Sequence, residues 1–260
     1  MKTCIQCGEP SNSNYCSNCG QKQNIRRLTL ASFFSDFFSR IYGLDGAFPN
    51  TIIGLTKNPA KVAQDYIRGI RGKYVGPVGY YFLIFTIFFL LVQLSDYTLN
   101  DYLPKTENFA ESIVDNNNLK EGQNAREIAL AVKQRIFNNL QYVHVFLVPI
   151  LAFWCGVWFK KSNYNFIENT VLSFFIHAQG TVVNLNGFVI FIFTGLKNNT
   201  IINLIIILYY AWSMSLFYTG KAKLSSLCKG LIAYLFTYIS FLLFVAVIVL
   251  ISLIVRGRVS

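Results

Sequence analysis

Residues 231–255 read LIAYLFTYISFLLFVAVIVLISLIV, a run without Asp, Glu, Lys, Arg or His. A helix rises 1.5 Å per residue, so about 20 apolar residues cross the roughly 30 Å hydrocarbon core of a bilayer. The run therefore predicts a spanning helix. Working back toward the N-terminus, four further apolar runs appear at about 78–94, 142–159, 171–196 and 201–218, the second holding Pro149 as a predicted kink. In lipid every backbone N–H and C=O must be satisfied inside the protein, which makes the expected fold all-α. The chain reads as an all-α membrane protein with about five transmembrane helices.

Composition agrees. The 260 residues are 53% hydrophobic and 13% charged, with a mean hydropathy of +0.42. Soluble domains carry about 25% charged residues. The 24 Phe suit lipid-facing surfaces and the 15 Tyr suit the headgroup zone. A net charge of +11 could serve nucleic acid, but much of the basic excess lies between Lys22 and Lys73, just before the first span. That is where Lys and Arg fix membrane orientation, so nucleic acid is not an expected partner and the lipid bilayer is.

Orientation follows from the same residues. Lys160 and Lys161 follow the second run, and Lys221, Lys223 and Lys229 follow the fourth, so these loops and the N-terminus are expected in the cytoplasm. The loop at 95–141 carries Asp96, Asp101, Glu107, Glu111, Asp115, Glu121 and Glu127 and is expected outside. Within it, 119–140 reads as a helix and Asn116–Asn118 as a turn. Five spans put the C-terminus outside, where Arg256 and Arg258 disagree; a re-entrant run would return it to the cytoplasm. No secretory signal peptide is visible, so the first span is expected to act as its own insertion signal.

Upstream of the spans the chemistry changes. Cys4-Ile5-Gln6-Cys7-Gly8 and Cys16-Ser17-Asn18-Cys19-Gly20 are two C-x-x-C-G knuckles around a turn-rich loop at 10–14. Two intervening residues let both thiolates of a pair reach one ion, and the following Gly allows positive φ. Cys4, Cys7, Cys16 and Cys19 are therefore the expected ligands of a structural zinc ion in a small ribbon at 1–21. With four protein ligands the site has no position for water, and zinc catalysis is not expected. Some twenty residues cannot bury a core, so the metal must supply most of the folding free energy. Cys155 and Cys228 lie in or beside apolar runs and read as buried small hydrophobes.

Residues 22–77 form a juxtamembrane region. Leu28, Leu30, Phe33, Phe34, Phe37, Phe38 and Ile41 share one face of a predicted amphipathic helix, ended by Gly43. It is too short to span; it either lies on the cytoplasmic surface of the bilayer or packs on the protein's own helices. A second helix is capped by Asn58, starts at Pro59 and stops at Gly69. Beyond it Arg68, Arg71, Lys73 and Tyr74, then Gly76-Pro77, read as lipid or interface anchors and stop signals, with Tyr66 and Tyr74 placed at the interface.

Asp45-Gly46, Phe48, Thr51, Leu55, Pro59, Tyr66, Gly69, Arg71, Tyr74, Pro77 and Tyr80, with the two knuckles upstream, resemble a family of bacterial membrane proteins common in Bacteroidetes and known as a domain of unknown function. The resemblance covers about the first eighty residues. It implies a bacterial inner (cytoplasmic) membrane and a zinc ribbon, and carries no activity.

The bundle is assigned to 78–255. Its third run holds the polar residues: His177, Gln179, Thr181, Asn184 and Asn186, with Gly180 and Gly187 among them. On a helix His177, Gly180, Thr181 and Asn184 share one side, and Gln179 and Asn186 the other, near the line of Glu168. Polar groups at membrane depth need partners, so this helix is expected in the middle of the bundle. These residues form either a polar path or interhelical hydrogen-bonding glue. His144, near the outer end of the second run, reads as interfacial.

Two histidines, no G-x-S-x-G, no paired histidine–carboxylate motif and no P-loop leave no catalytic set, and an enzyme is not expected. The leading expectation is a scaffold, regulator or sensor whose cytoplasmic ribbon engages a protein partner. The alternative is a channel, transporter or membrane-perturbing effector using the polar third span, for which a homo-oligomer is one candidate form.

Overall fold

The computed structural model describes residues 3–10, 13–22, 29, 46–95, 97, 140–196 and 199–257, with backbone alone at 140–144 and 248–257. The predicted amphipathic helix from Leu28 to Ile41 and the predicted helix and turn of the loop at 95–141 lie outside the described residues. Seven α-helices are described: α1 Ala47–Lys57, α2 Pro59–Ile67, α3 Pro77–Leu94, α4 Leu140–Trp158, α5 Phe166–Thr194, α6 Asn199–Thr219 and α7 Leu224–Gly257. A 3₁₀ turn, Lys160–Ser162, joins α4 to the α5 approach. Apart from the cysteine knuckles, the regular structure of the described residues is all helical.

Among the described residues four helices are long and apolar enough to cross a membrane: α3, α5, α6 and, within α7, Leu224–Val247. The helix α4 has 19 residues with Pro149 inside it, and its apolar stretch Val145–Trp158 packs between α5 and α7. Two helices begin before their apolar runs. A capping box starts α5 at a polar site: Asn165 Oδ1 accepts from Glu168 N–H (2.8 Å) and Glu168 Oε2 accepts from Asn165 N–H (2.8 Å). At α7, left-handed Gly220 (φ 69°) stops α6 and lets the chain re-enter helix at Leu224, ahead of the hydrophobic run.

The long helix α5 occupies the middle. It packs against α1, α2, α3, α4 and α6, and 56% of its apolar window is buried, against 17% for α7. Lipid tails are as apolar as Leu, so helices associate here through close packing rather than water exclusion. Small residues allow that approach. At Gly230 of α7 a Cβ would meet Ala211 Cα of α6 at 3.0 Å, and at Gly180 of α5 it would meet the Tyr210 ring of α6 at 3.2 Å. Outward-facing Phe82, Leu90, Phe153, Phe193, Leu208 and Leu242 make the lipid-facing surface.

The short helices α1 and α2 belong to this same core, with Leu55, Val62 and Tyr66 clustering with Tyr80, Phe175 and Met214. Their ends are tied to the long helices. Tyr209 Oη donates to Leu55 O (3.0 Å), and Gln64 Nε2 donates to Phe217 O (3.0 Å), so each bond satisfies a carbonyl near a helix C-terminus. The cap at Asn58 forms as expected, its Oδ1 accepting from Lys61 N–H at 3.0 Å. Asn58→Ala should cost about 1 kcal/mol, read as a lower unfolding midpoint in mixed micelles with unchanged helical content. Gly69 (φ 98°) closes α2 in a Schellman motif: its N–H bonds Tyr66 O (3.1 Å) and Ile70 N–H bonds Asp65 O (2.9 Å).

Candidate metal centre

Each knuckle is built by the same three devices. In the first, Cys4 N–H bonds Glu9 O (2.8 Å), Gly8 N–H bonds Cys4 O (2.9 Å) and Gly8 takes φ 79°. In the second, Cys16 N–H bonds Gln21 O (2.8 Å), Gly20 N–H bonds Cys16 O (2.9 Å) and Gly20 takes φ 70°. Isolated bridges Thr3↔Pro10 and Tyr15↔Lys22 close the two turns. The left-handed glycine folds the chain back under the second cysteine, so both sulfurs of a pair face one point.

The four sulfurs converge. Cys4 Sγ and Cys19 Sγ lie 3.6 Å apart, as do Cys7 Sγ and Cys16 Sγ, and all four fall within 4.8 Å of one another. A tetrahedral centre with metal–sulfur bonds of about 2.3 Å has edges of about 3.8 Å. The cluster therefore fits one metal ion, and all four cysteines are free of disulfides. A backbone hydrogen bond from Gln21 favours the Cys19 thiolate, but desolvation and the three neighbouring sulfurs outweigh it and push the thiol up to about 12. Crowded thiols resist ionising together, and a bound cation reverses that preference.

The ribbon rests on the helical body. Gln21, the last residue assigned to the ribbon, is buried, and its Nε2 donates to Gly69 O at 2.8 Å. A clue lay in the repeat: Gln21 stands after its knuckle's glycine as Glu9 does after Gly8, and is thus part of the fold.

Three of the basic residues before the first span, Arg68, Arg71 and Lys73, stand on the α2–α3 connector. Arg68 and Lys73 are exposed, the Arg71 guanidinium lies 5.4 Å from the Tyr66 ring centre, and Lys73 Nζ lies 5.3 Å from that of Tyr74. Tyr66 and Tyr74 are themselves buried, and Tyr74 Oη donates to Asp65 Oδ2 at 3.2 Å. Burial, and next the Asp65 charge and this hydrogen bond, push the Tyr74 hydroxyl up to about 12.

The polar residues of α5 divide between two sides. Gln179 faces α1 and α3, accepting from Tyr80 Oη (2.8 Å) and donating to Thr56 Oγ1 (2.9 Å). His177 faces α6, its ring edge-on to Tyr210 at 5.2 Å and its Nδ1 2.9 Å from Ser173 O. Thr181 Oγ1 donates to His177 O (3.1 Å), and Asn186 Nδ2 donates to Val182 O (2.8 Å) on an exposed face. Asn184 is half-buried. The five residues thus do not converge on one point. His144 lies in α4 where backbone alone is described. Cys155 is buried as expected, but Cys228, in the first turns of α7, is exposed among the described residues.

The family model described as "Protein of unknown function (DUF3667)" matches residues 45–89. The matched stretch comprises α1, α2, the connector and most of α3, and it covers the second of the two segments that carry the resemblance. No curated protein and no solved structure matches the chain. The chain is a multi-pass helical membrane protein with a cysteine cluster able to hold a metal ion, and its helical core is similar over residues 45–89 to a family of unknown function.

Proposed function

We propose that the chain is a non-enzymatic scaffold, regulator or sensor of the bacterial inner membrane, with a structural zinc ribbon in the cytoplasm that engages a protein partner. One observation carries this reading: four cysteine sulfurs lie within 4.8 Å of one another, enough to fill the four positions of a tetrahedral structural ion. Zinc is the ion that four thiolates at tetrahedral spacing suit best. The orientation rests on charge. Lys57, Lys61, Arg68, Lys73, Lys160, Lys161, Lys221, Lys223 and Lys229 are all exposed, and in sequence they precede α3, α5 or α7 or stand in the first turns of α7. Arg68, Arg71 and Lys73 then meet lipid phosphates, backed by the Tyr66 and Tyr74 rings.

The bonding of α5 supports this reading over transport. Gln179 bonds across to Tyr80 and Thr56 as interhelical glue does, while His177, Thr181 and Asn186 bond carbonyls of α5 itself. The test is affinity recovery of the tagged chain from native membranes beside a Cys16→Ser, Cys19→Ser variant. A partner recovered with the wild type and lost with the variant, at equal membrane insertion, supports the proposal. Identical partners in both samples count against it.

A further inference from the structure

Gln21 joins the two halves of the molecule. Its carbonyl accepts from Cys16 N–H, and its own N–H bonds the Cys19 sulfur, so its backbone is set by the second knuckle. Its side chain reaches out of the ribbon to Gly69 O, across 48 positions of sequence, and is buried there. Glu9, its counterpart in the first knuckle, is exposed. The contact is thus particular to one knuckle rather than a property of both.

The receiving site is equally particular. Gly69 spends its N–H inside the Schellman motif, while its left-handed conformation turns the carbonyl away from α2. The connector from 68 to 76 that follows is held from within by Tyr74 on Asp65 and by Val75 N–H on Thr51 Oγ1 (2.9 Å). It leads directly into Pro77, the first residue of the first span. A change in the ribbon therefore has a short mechanical route to the membrane entry of α3.

We propose that the metal-loaded ribbon is a latch whose docking partner is this chain's own α2–α3 connector, with Gln21 as the bolt, and that loss of the metal releases it. The inference rests on the metal reading of the four cysteines. The physical reason is that the ribbon has no apolar core, so the knuckle that aims Gln21 persists only while an ion ties the sulfurs together. Released, the connector is exposed to water and to other partners.

The test is hydrogen exchange on the full chain in lipid nanodiscs, followed by mass spectrometry, with metal content measured on the same samples. Three states are compared: zinc-loaded wild type, wild type stripped with a chelator, and zinc-loaded Gln21→Ala. The expected result is at least fivefold faster exchange at 68–76 in both the stripped and the Gln21→Ala samples, with the variant retaining its zinc. Unchanged exchange at 68–76 in Gln21→Ala overturns the docking. Faster exchange in Gln21→Ala but not on stripping overturns metal control of it. A wild type that takes up no zinc defeats the metal reading itself, and the Gln21→Ala comparison then still decides whether the ribbon is docked.

Discussion

Cys16→Ser with Cys19→Ser should take metal content from about one zinc per chain to nearly none and unfold residues 3–22, while the helical signal of the bundle stays intact. Among the described ribbon residues only Cys4, Cys16 and Gln21 are buried, so no apolar cluster stands behind the metal. Structural zinc contributes about 10–16 kcal/mol of apparent binding free energy in isolated fingers, far more than two short turns and their bridges can replace. The membrane helices have their own core, and α1, α2 and α3 are joined to it by bonds that do not pass through the ribbon. Metal analysis and circular dichroism of the purified variant check both halves. Retained zinc, or loss of bundle helicity, would contradict the expectation.

The second large effect is expected at Gln179. Gln179→Leu should destabilise the bundle by about 2 kcal/mol, measured by denaturing-detergent unfolding in mixed micelles. Hydrogen bonds between membrane helices average only about 0.6 kcal/mol in double-mutant cycles, so a single lost bond would hardly be seen. Gln179 makes two, and its loss strands the Tyr80 hydroxyl on a residue with 0% exposure. Thr56 is protected, because its hydroxyl also donates to Ile52 O (2.8 Å). The stranded hydroxyl is the larger cost, and it can be removed. Tyr80→Phe added to Gln179→Leu should recover a good part of the loss. If the two substitutions instead add their separate costs, the hydroxyl was not the source.

The features readable in the sequence are those whose physics is local. Asn58 and Pro59 at the start of α2 and Gly69 past its end are properties of one turn each, and the structure has all three in place. The cysteine knuckles were readable because ligand spacing and glycine placement are both set within five residues. The central position of α5 was also readable, since its polar groups require neighbours on two sides, and Gln179 and His177 find them on α3 and α6. The missing pieces are of two kinds. The helix start at Phe166 is set by a capping box and that at Leu224 follows the turn at left-handed Gly220, both in polar sequence where hydropathy has no signal. Long-range partners such as Gln21 with Gly69, or Gln179 with Tyr80 and Thr56, depend on how the helices assemble, which no window of sequence contains. Tyr74 combines both: its type suits an interface, but the nearby Asp65 gives its hydroxyl an interior partner.

The two knuckles repeat at an offset of twelve positions, Cys4 to Cys16 and Gly8 to Gly20, and their cross-pairs Cys4–Cys19 and Cys7–Cys16 are equal at 3.6 Å. The ribbon is thus close to a two-fold object, and an ion at its centre sees nearly the same surroundings when the halves are exchanged. Such an object could sit on the helices in either of two ways with little difference at the metal. One pair of side chains distinguishes the two ways at the docking contact: a carboxylate at Glu9, which can only repel the Gly69 carbonyl, and an amide at Gln21, which donates to it. At that contact the two halves of the ribbon are told apart by the difference between an oxygen and a nitrogen.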